Sequence, residues 1–284
     1  MDLALLGYDF QSNYFNIQGH NLHYLDEGSG EVILMLHGNP TWSFYFRNLV
    51  SHYSRSYRVI VPDHMGCGFS DKPQDYDYSL QRRVYDIEAL LKFLSIDRVS
   101  LVVHDWGGAI GLGLATLTDI QVNKLVITNT AAFTSSYIPW QINLVKKRPL
   151  GPLMVKYLNA FCWPATFMTT VKTLPTMVKK AYLMPYKALK DRVAINQFVQ
   201  DIPINKTHKT FNTLKQIEDR LEKLDCDKII LWGMKDFCFN NYFLNRWKEI
   251  YPKTPVVEYS NAGHYLFEDK ANETLEEMDR FFNS

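Results

Sequence analysis

Leu101-Val102-Val103-His104-Asp105-Trp106-Gly107-Gly108 joins an aliphatic run to a pair of glycines through one acidic residue. The aliphatic half reads as the end of a strand buried on both faces, and residues 108–118 read as a helix. A strand that passes into a helix over so few residues must turn sharply, and the glycines let the helix start close to the strand. Such a turn holds its polar residue in strained backbone above the sheet, where the following backbone N–H faces developing negative charge. The stretch therefore predicts a nucleophile elbow with Asp105 in the nucleophile's slot. The plainer use of an aspartate here is to cap the helix that follows, so the rest of the chain has to decide.

On either side of the elbow, short runs rich in Val, Ile and Leu alternate with amphipathic stretches of helical length, the pattern of a mostly parallel sheet covered on both faces. Strands are expected at residues 14–18 and 21–26, as an opening hairpin, and at 31–36, 57–61, 99–103, 122–128, 228–232 and 256–259. Helices are expected at 43–53, 80–94, 108–118, 242–250 and 271–282. The alternation stops between about residues 133 and 224, where helix-like pieces are punctuated by prolines from Pro139 to Pro203. The expected fold class is α/β: an α/β-hydrolase fold with a mostly parallel eight-stranded sheet, helices on both faces and an inserted helical cap. Residues 1–132 and 225–284 are expected to form the core domain, and 133–224 the cap.

Two further positions favour catalysis over capping. Ser260-Asn261-Ala262-Gly263-His264-Tyr265 sets a histidine in a glycine-containing loop between the last strand and the last helix. Leu231-Trp232-Gly233-Met234-Lys235-Asp236 sets an acid just past the preceding strand. Nucleophile, acid, histidine is the chain order this fold uses. A lone histidine is more often structural, and the chain has seven others, so the weight rests on order and loop position. Asp236 can hold the histidine tautomer and stabilise its cation; Asn129 fills the other place for such an acid, at the end of the sixth strand. The candidate catalytic residues are Asp105, Asp236 and His264. A carboxylate needs no base to become a nucleophile, which leaves His264 free to act on water. The covalent intermediate is then an ester or anhydride of Asp105. His37-Gly38-Asn39-Pro40-Thr41-Trp42 follows the third strand, in the loop that supplies an oxyanion-hole N–H. The Asn39 carboxamide and the Trp106 indole N–H are uncharged donors suited to cradling a halide or a developing oxyanion above Asp105. Core packing is the plainer role for Trp106.

Composition narrows the field. With 284 residues, 46% hydrophobic and 21% charged, the chain can bury a full core, and a net charge of +1 gives no reason to expect nucleic acid. A small apolar substrate fits better. Cys67, Cys162, Cys226 and Cys238 form neither a C-x-x-C pair nor a cluster at zinc spacing, so reduced thiols and no metal or other cofactor are expected. The N-terminus lacks the features of a signal peptide, and the longest apolar tract, residues 101–117, carries His104 and Asp105 at its middle; a cytoplasmic location follows. The cap is unusual in charge. No Asp or Glu occurs between Asp119 and Asp191, whereas Lys146, Lys147, Arg148, Lys156, Lys172, Lys179, Lys180, Lys187 and Lys190 do. Solvated lysines on amphipathic helices are the plain explanation; docking to an acidic partner or, without integration, to an anionic membrane is the sharper one.

With these residues in place the chain resembles the haloalkane dehalogenase superfamily, through His37-Gly38-Asn39-Pro40-Thr41-Trp42, Asp105-Trp106-Gly107-Gly108 and the acid at Asp236. Within it, Pro62-Asp63-His64-Met65-Gly66-Cys67-Gly68, Asn129-Thr130-Ala131-Ala132-Phe133, Asn159-Ala160-Phe161-Cys162, Phe198-Val199-Gln200-Asp201-Ile202-Pro203 and Trp232-Gly233-Met234-Lys235-Asp236-Phe237-Cys238-Phe239 are more similar to the OleB β-lactone decarboxylases of olefin biosynthesis. That resemblance implies that a cis-β-lactone with two alkyl chains loses carbon dioxide to give a cis-alkene, with Asp105 attacking. It also implies contact with other olefin-pathway enzymes, to which the basic cap is suited. Alternatives stay open. In a haloalkane dehalogenase Asp105 displaces halide held by Asn39 and Trp106, and Phe133, Trp140, Phe161, Trp163 and Phe167 are candidates to shape the substrate pocket. An epoxide hydrolase needs hydroxyl donors from the cap, usually tyrosines. A non-catalytic ligand-binding member of the fold is the fourth reading, and retention of all three catalytic residue types in order stands against it.

Overall fold

The computed structural model describes residues 1–147 and 149–284; Arg148, one of the expected cap cations, lies outside the described residues. The aliphatic runs form the sheet where they were expected. Its strands are β1 (Asn13–Ile17), β2 (His20–Gly28), β3 (Val32–Leu36), β4 (Arg58–Pro62), β5 (Arg98–Asp105), β6 (Gln121–Thr130), β7 (Asp227–Gly233) and β8 (Val256–Tyr259). They lie in the order β1-β2-β4-β3-β5-β6-β7-β8. The hairpin strands β1 and β2 pair antiparallel, β2 pairs antiparallel with β4, and all other neighbours are parallel. In β3 and β5 the side chains are buried almost without a break, because helices cover both faces of the parallel part.

Helices α1 (Arg47–Tyr53), α2 (Leu80–Phe93) and α3 (Trp106–Leu117) connect the first parallel strands. The expected helix at 43–53 opens as a 3₁₀ turn over Ser43–Phe46 before α1 begins. Between β6 and β7 come α4 (Trp140–Lys146), α5 (Leu150–Leu158), α6 (Cys162–Met168), α7 (Thr176–Leu183), α8 (Val193–Gln200) and α9 (Phe211–Glu218), with no strand among the described residues. The chain closes with α10 (Asn241–Ile250), α11 (Leu266–Asp269) and α12 (Ala271–Phe282). Among the described residues no helix is long and apolar enough to cross a membrane.

The strand order places the site. After β3 the chain leaves toward β4, and after β5 it leaves the opposite way toward β6. The two connections part between β3 and β5 and leave a crevice beyond their carboxyl ends, where ligands bind in open α/β sheets. The loop holding Asn39 and the elbow holding Asp105 are the two banks of that crevice.

The segment over the crevice is tied to the sheet by buried polar contacts. Arg47 of α1 forms a bidentate pair with Glu268 of α11 at 2.6 and 3.0 Å, and the Tyr182 hydroxyl of α7 donates to the same carboxylate at 2.5 Å. Asp269 accepts the backbone N–H groups of Val171 and Lys172 from the α6–α7 connection and of Gly263 from the histidine loop.

Candidate active site

Asp105 is the last residue of β5 and takes φ 52° and ψ −128°, a region that residues with a Cβ rarely occupy. What holds it there is on both sides. The Thr130 hydroxyl of β6 donates to the Asp105 carbonyl, and Gly107 lets α3 start so close to β3 that a Cβ at this position would collide with the Leu36 carbonyl. The Asp105 side chain does not cap α3. It turns instead to the crevice, where the Asn39 N–H donates to Oδ1 at 2.6 Å and the Trp106 N–H bears on the same carboxylate. These are the two backbone donors that form an oxyanion hole in this kind of elbow.

His264 stands opposite, with Nε2 3.6 Å from Asp105 Oδ2 and Nδ1 2.7 Å from Asp236 Oδ2. Asp236 is held at both oxygens: Oδ2 also accepts from Asn129 Nδ2 at 3.0 Å, and Oδ1 accepts the Cys238 N–H at 2.7 Å. Burial acts to lower the His264 pKa, but the charge and hydrogen bond of Asp236, with Asp105 behind them, outweigh it and hold the imidazole above its ordinary value. Burial raises the Asp105 carboxyl above the usual carboxylate value, while His264 and the N–H groups of Asn39 and Trp106 pull it back. Each of the two thus favours the charged form of the other.

Asn129, at the end of β6 where an acid could stand, has a place of its own. Its Oδ1 accepts the Gly233 N–H at 2.8 Å, and its Nδ2 reaches the Gly233 carbonyl at 3.1 Å as well as Asp236. It pins the end of β7 and the acid together. Asn129→Ala leaves the buried Gly233 N–H without a partner and takes one donor from Asp236, and is expected to cost about 1–3 kcal/mol, read as a lower Tm, with a fall in turnover as Asp236 and His264 are held less firmly.

Three other histidines are buried nearby, and burial biases each toward its neutral form. His104 Nε2 faces the His264 carbonyl at 2.8 Å, with its ring 4.5 Å from that of His264, and burial pushes its pKa well down. His37 and His64 are also buried, with lowered pKa values, and bond to each other's backbone. These rings pack and orient; none faces the cavity.

Above Asp105 opens a cavity of about 440 Å³, within the range of small-molecule sites. Asn39, Trp106 and His264 share its floor with Asp105, and its walls are apolar. Phe133, Trp140 and Phe161 line it. Trp163 and Phe167 do not: they lie one turn apart on the outer side of α6, exposed, and pack edge to face with centroids 4.7 Å apart. Cys162, Ala165 and Thr166 are the buried residues of that helix. Asn39 is held in two ways. One amide proton of its carboxamide goes to the Ile195 carbonyl of α8 at 3.1 Å, and its backbone N–H is the donor on Asp105. The Trp106 indole N–H has no hydrogen-bond partner among the described residues, and its ring rests against Phe198, on whose other neighbour, Arg83, the guanidinium carbon lies 3.3 Å from the ring centroid. Of the tyrosines, Tyr137 alone lines the cavity among the described residues, exposed and with its hydroxyl engaged by Asn240. Among the described residues no phenol stands over Asp105 to protonate an opening epoxide.

A sharp elbow, an acid after β7 and a histidine after β8 define an α/β-hydrolase, and the chain belongs to that family: its sequence profile, described as alpha/beta hydrolase fold, matches residues 31–271. Among curated proteins the chain is 41% identical over 279 residues to the cis-3-alkyl-4-alkyloxetan-2-one decarboxylase of Xanthomonas campestris, covering 93% of each chain. It is 39% identical over 281 residues to the protein of the same name from Shewanella oneidensis, covering 96% of this chain and 88% of that one. Its fold matches the crystal structure of the haloalkane dehalogenase DbeA from Bradyrhizobium elkani with a TM-score of 0.88 at 22% identity, over 96% of this chain and 97% of that one.

Proposed function

We propose that this enzyme decarboxylates cis-3,4-dialkyl-oxetan-2-ones to cis-alkenes, with Asp105 as nucleophile. The observation that carries the reading is a carboxylate oriented by two backbone N–H groups at the floor of an apolar cavity, in a chain about two-fifths identical to decarboxylases of that name. The Asp105 carboxylate attacks C4 of the lactone from the side opposite the ring oxygen. The C4–O1 bond breaks and its electron pair leaves as a carboxylate on C3, which the Trp106 indole N–H and the free amide proton of Asn39 can meet. Inversion at C4 sets the new ester oxygen anti to the C3 carboxylate. The C3–carboxylate bond then breaks, its electron pair forms the C3–C4 double bond, the ester oxygen leaves as the Asp105 carboxylate, and carbon dioxide departs. Both alkyl groups end on the same side, so inversion followed by anti elimination yields the cis-alkene. No water is consumed. His264 holds a positive charge beside Asp105 and favours its ionised form, and Asp236 and Asn129 hold His264. We place the enzyme in the cytoplasm.

Haloalkane dehalogenation is the second reading, favoured by the unpartnered Trp106 indole and supported less by identity. Offering the purified enzyme a cis-dialkyl-β-lactone and, separately, a bromoalkane decides between them. Alkene with equimolar carbon dioxide and negligible bromide supports the decarboxylase; rapid bromide release without alkene from the lactone overturns it.

The two chemistries also differ in pH dependence. Alkene formation needs ionised Asp105 and no neutral imidazole, so its rate rises with pH through a carboxyl pKa raised above the ordinary value. Hydrolysis needs neutral His264 to activate water, so it waits for the raised imidazole pKa. A kcat/KM profile that climbs only above the ordinary histidine range would count against the decarboxylase mechanism.

A further inference from the structure

Among the described residues, most of the exposed large apolar side chains fall between Tyr137 and Met177, from the approach to α4 to the first turn of α7. A helix of a soluble domain turns its apolar stripe inward and its polar face to water. Here α5 buries Gly151 and Val155 yet exposes Leu153 and Tyr157, and α6 exposes Trp163 and Phe167. Trp140, Leu144 and Met168 are both exposed and part of the cavity lining, so the cavity opens within this apolar patch. The charge on the same stretch has one sign: no acidic residue lies between Asp119 and Asp191. Lys147, Lys156 and Lys180 are exposed and pair with no carboxylate among the described residues.

We propose that this cap face docks onto the surface of an anionic lipid bilayer, with the cavity mouth turned toward the acyl region. Exposed tryptophan and tyrosine beside aliphatic residues suit the boundary between headgroups and chains. Lysines lay their stems along apolar surface and keep their charge at the level of anionic headgroups. The cations favour lipid over protein, because lysine is depleted in protein–protein interfaces. The association is peripheral, since no described helix is long and apolar enough to span a membrane. An apolar substrate then passes from the bilayer into the cavity without crossing water. That consequence rests on the dialkyl-lactone reading; the docking rests on the patch and its charge alone.

Sedimentation with vesicles tests it. The full-length protein pellets with vesicles of phosphatidylcholine and phosphatidylglycerol at low salt, pellets less with phosphatidylcholine alone, and is partly released by high salt. Combining Leu153→Ser, Trp163→Ser and Phe167→Ser, none of which lines the cavity, weakens partitioning about tenfold or more and leaves turnover of a short-chain lactone in solution unchanged. Lys147→Glu with Lys156→Glu gives an independent loss, confined to anionic vesicles. Failure of the wild type to pellet with anionic vesicles overturns the proposal, as does equal pelleting of both variants. Pelleting only in the presence of a second protein also overturns it and assigns the patch to that partner. Wild-type pelleting without lactone turnover in solution supports the docking and sinks the activity reading instead.

Discussion

Asp105→Asn abolishes alkene formation, lowering turnover on the order of 10⁴-fold or more, in a protein that still folds. The amide has the carboxylate's size, and asparagine tolerates positive φ better than most residues, so the elbow keeps its shape. The Asn39 N–H retains an oxygen acceptor. What disappears is the nucleophile, for which the cavity floor holds no substitute: Cys238 lines the cavity, but burial and the nearby carboxylates of Asp236 and Asp105 push its thiol well above its ordinary value. Removing a buried carboxyl with a raised pKa also lifts a desolvation cost, so the Tm stays level or rises. Gas chromatography of the alkene with calorimetry on the same preparation checks both halves. A folded variant that kept a substantial part of the wild-type rate would remove Asp105 as the attacking group.

His264→Phe separates the two chemistries within one variant. With a bromoalkane, Asp105 displaces bromide and is left as an alkyl ester that carries no carboxylate to lose. Without the imidazole no water is activated, and intact-protein mass spectrometry shows the adduct accumulating to one per chain. With the β-lactone the ring-opened ester carries its own leaving carbon dioxide, so no adduct accumulates. The alkene is still made, at a rate lowered by about 10²-fold or more at neutral pH, because the charge that keeps Asp105 ionised in its buried site is gone. A long-lived adduct from the lactone would mean that water, rather than loss of carbon dioxide, releases the product, and the elimination mechanism would fall.

The elbow was legible because its signals are local: an aliphatic run, one polar residue and two glycines leave few conformations. Asp236 and His264 could be read because each follows a recognisable strand, so chain order stood in for geometry. Orientation settled by distant chain was not legible. Asn39 turns its carboxamide to an acceptor 156 residues away, which no window around His37 to Trp42 contains. On α6 both sides are apolar, so periodicity carried no information about which rings face inward, and Trp163 and Phe167 were placed in the pocket on chemistry alone. Asn129 shows the opposite limit. Its position was noticed, but its bonds to Gly233 and Asp236 depend on β6 and β7 being neighbours, which pairing establishes and sequence spacing does not.

The contact from Asn39 to α8 bears on how such enzymes diversify. The acceptor is the main-chain carbonyl of Ile195, which any amino acid supplies. Point substitutions across the cap can therefore drift, reshaping the cavity walls, without disturbing the loop that orients the nucleophile. Insertions or deletions in α8 are another matter, because they rotate a different carbonyl into place. The cap is free in its letters and constrained in its length, so grafting one from a relative succeeds only where the helix over Asn39 keeps its register.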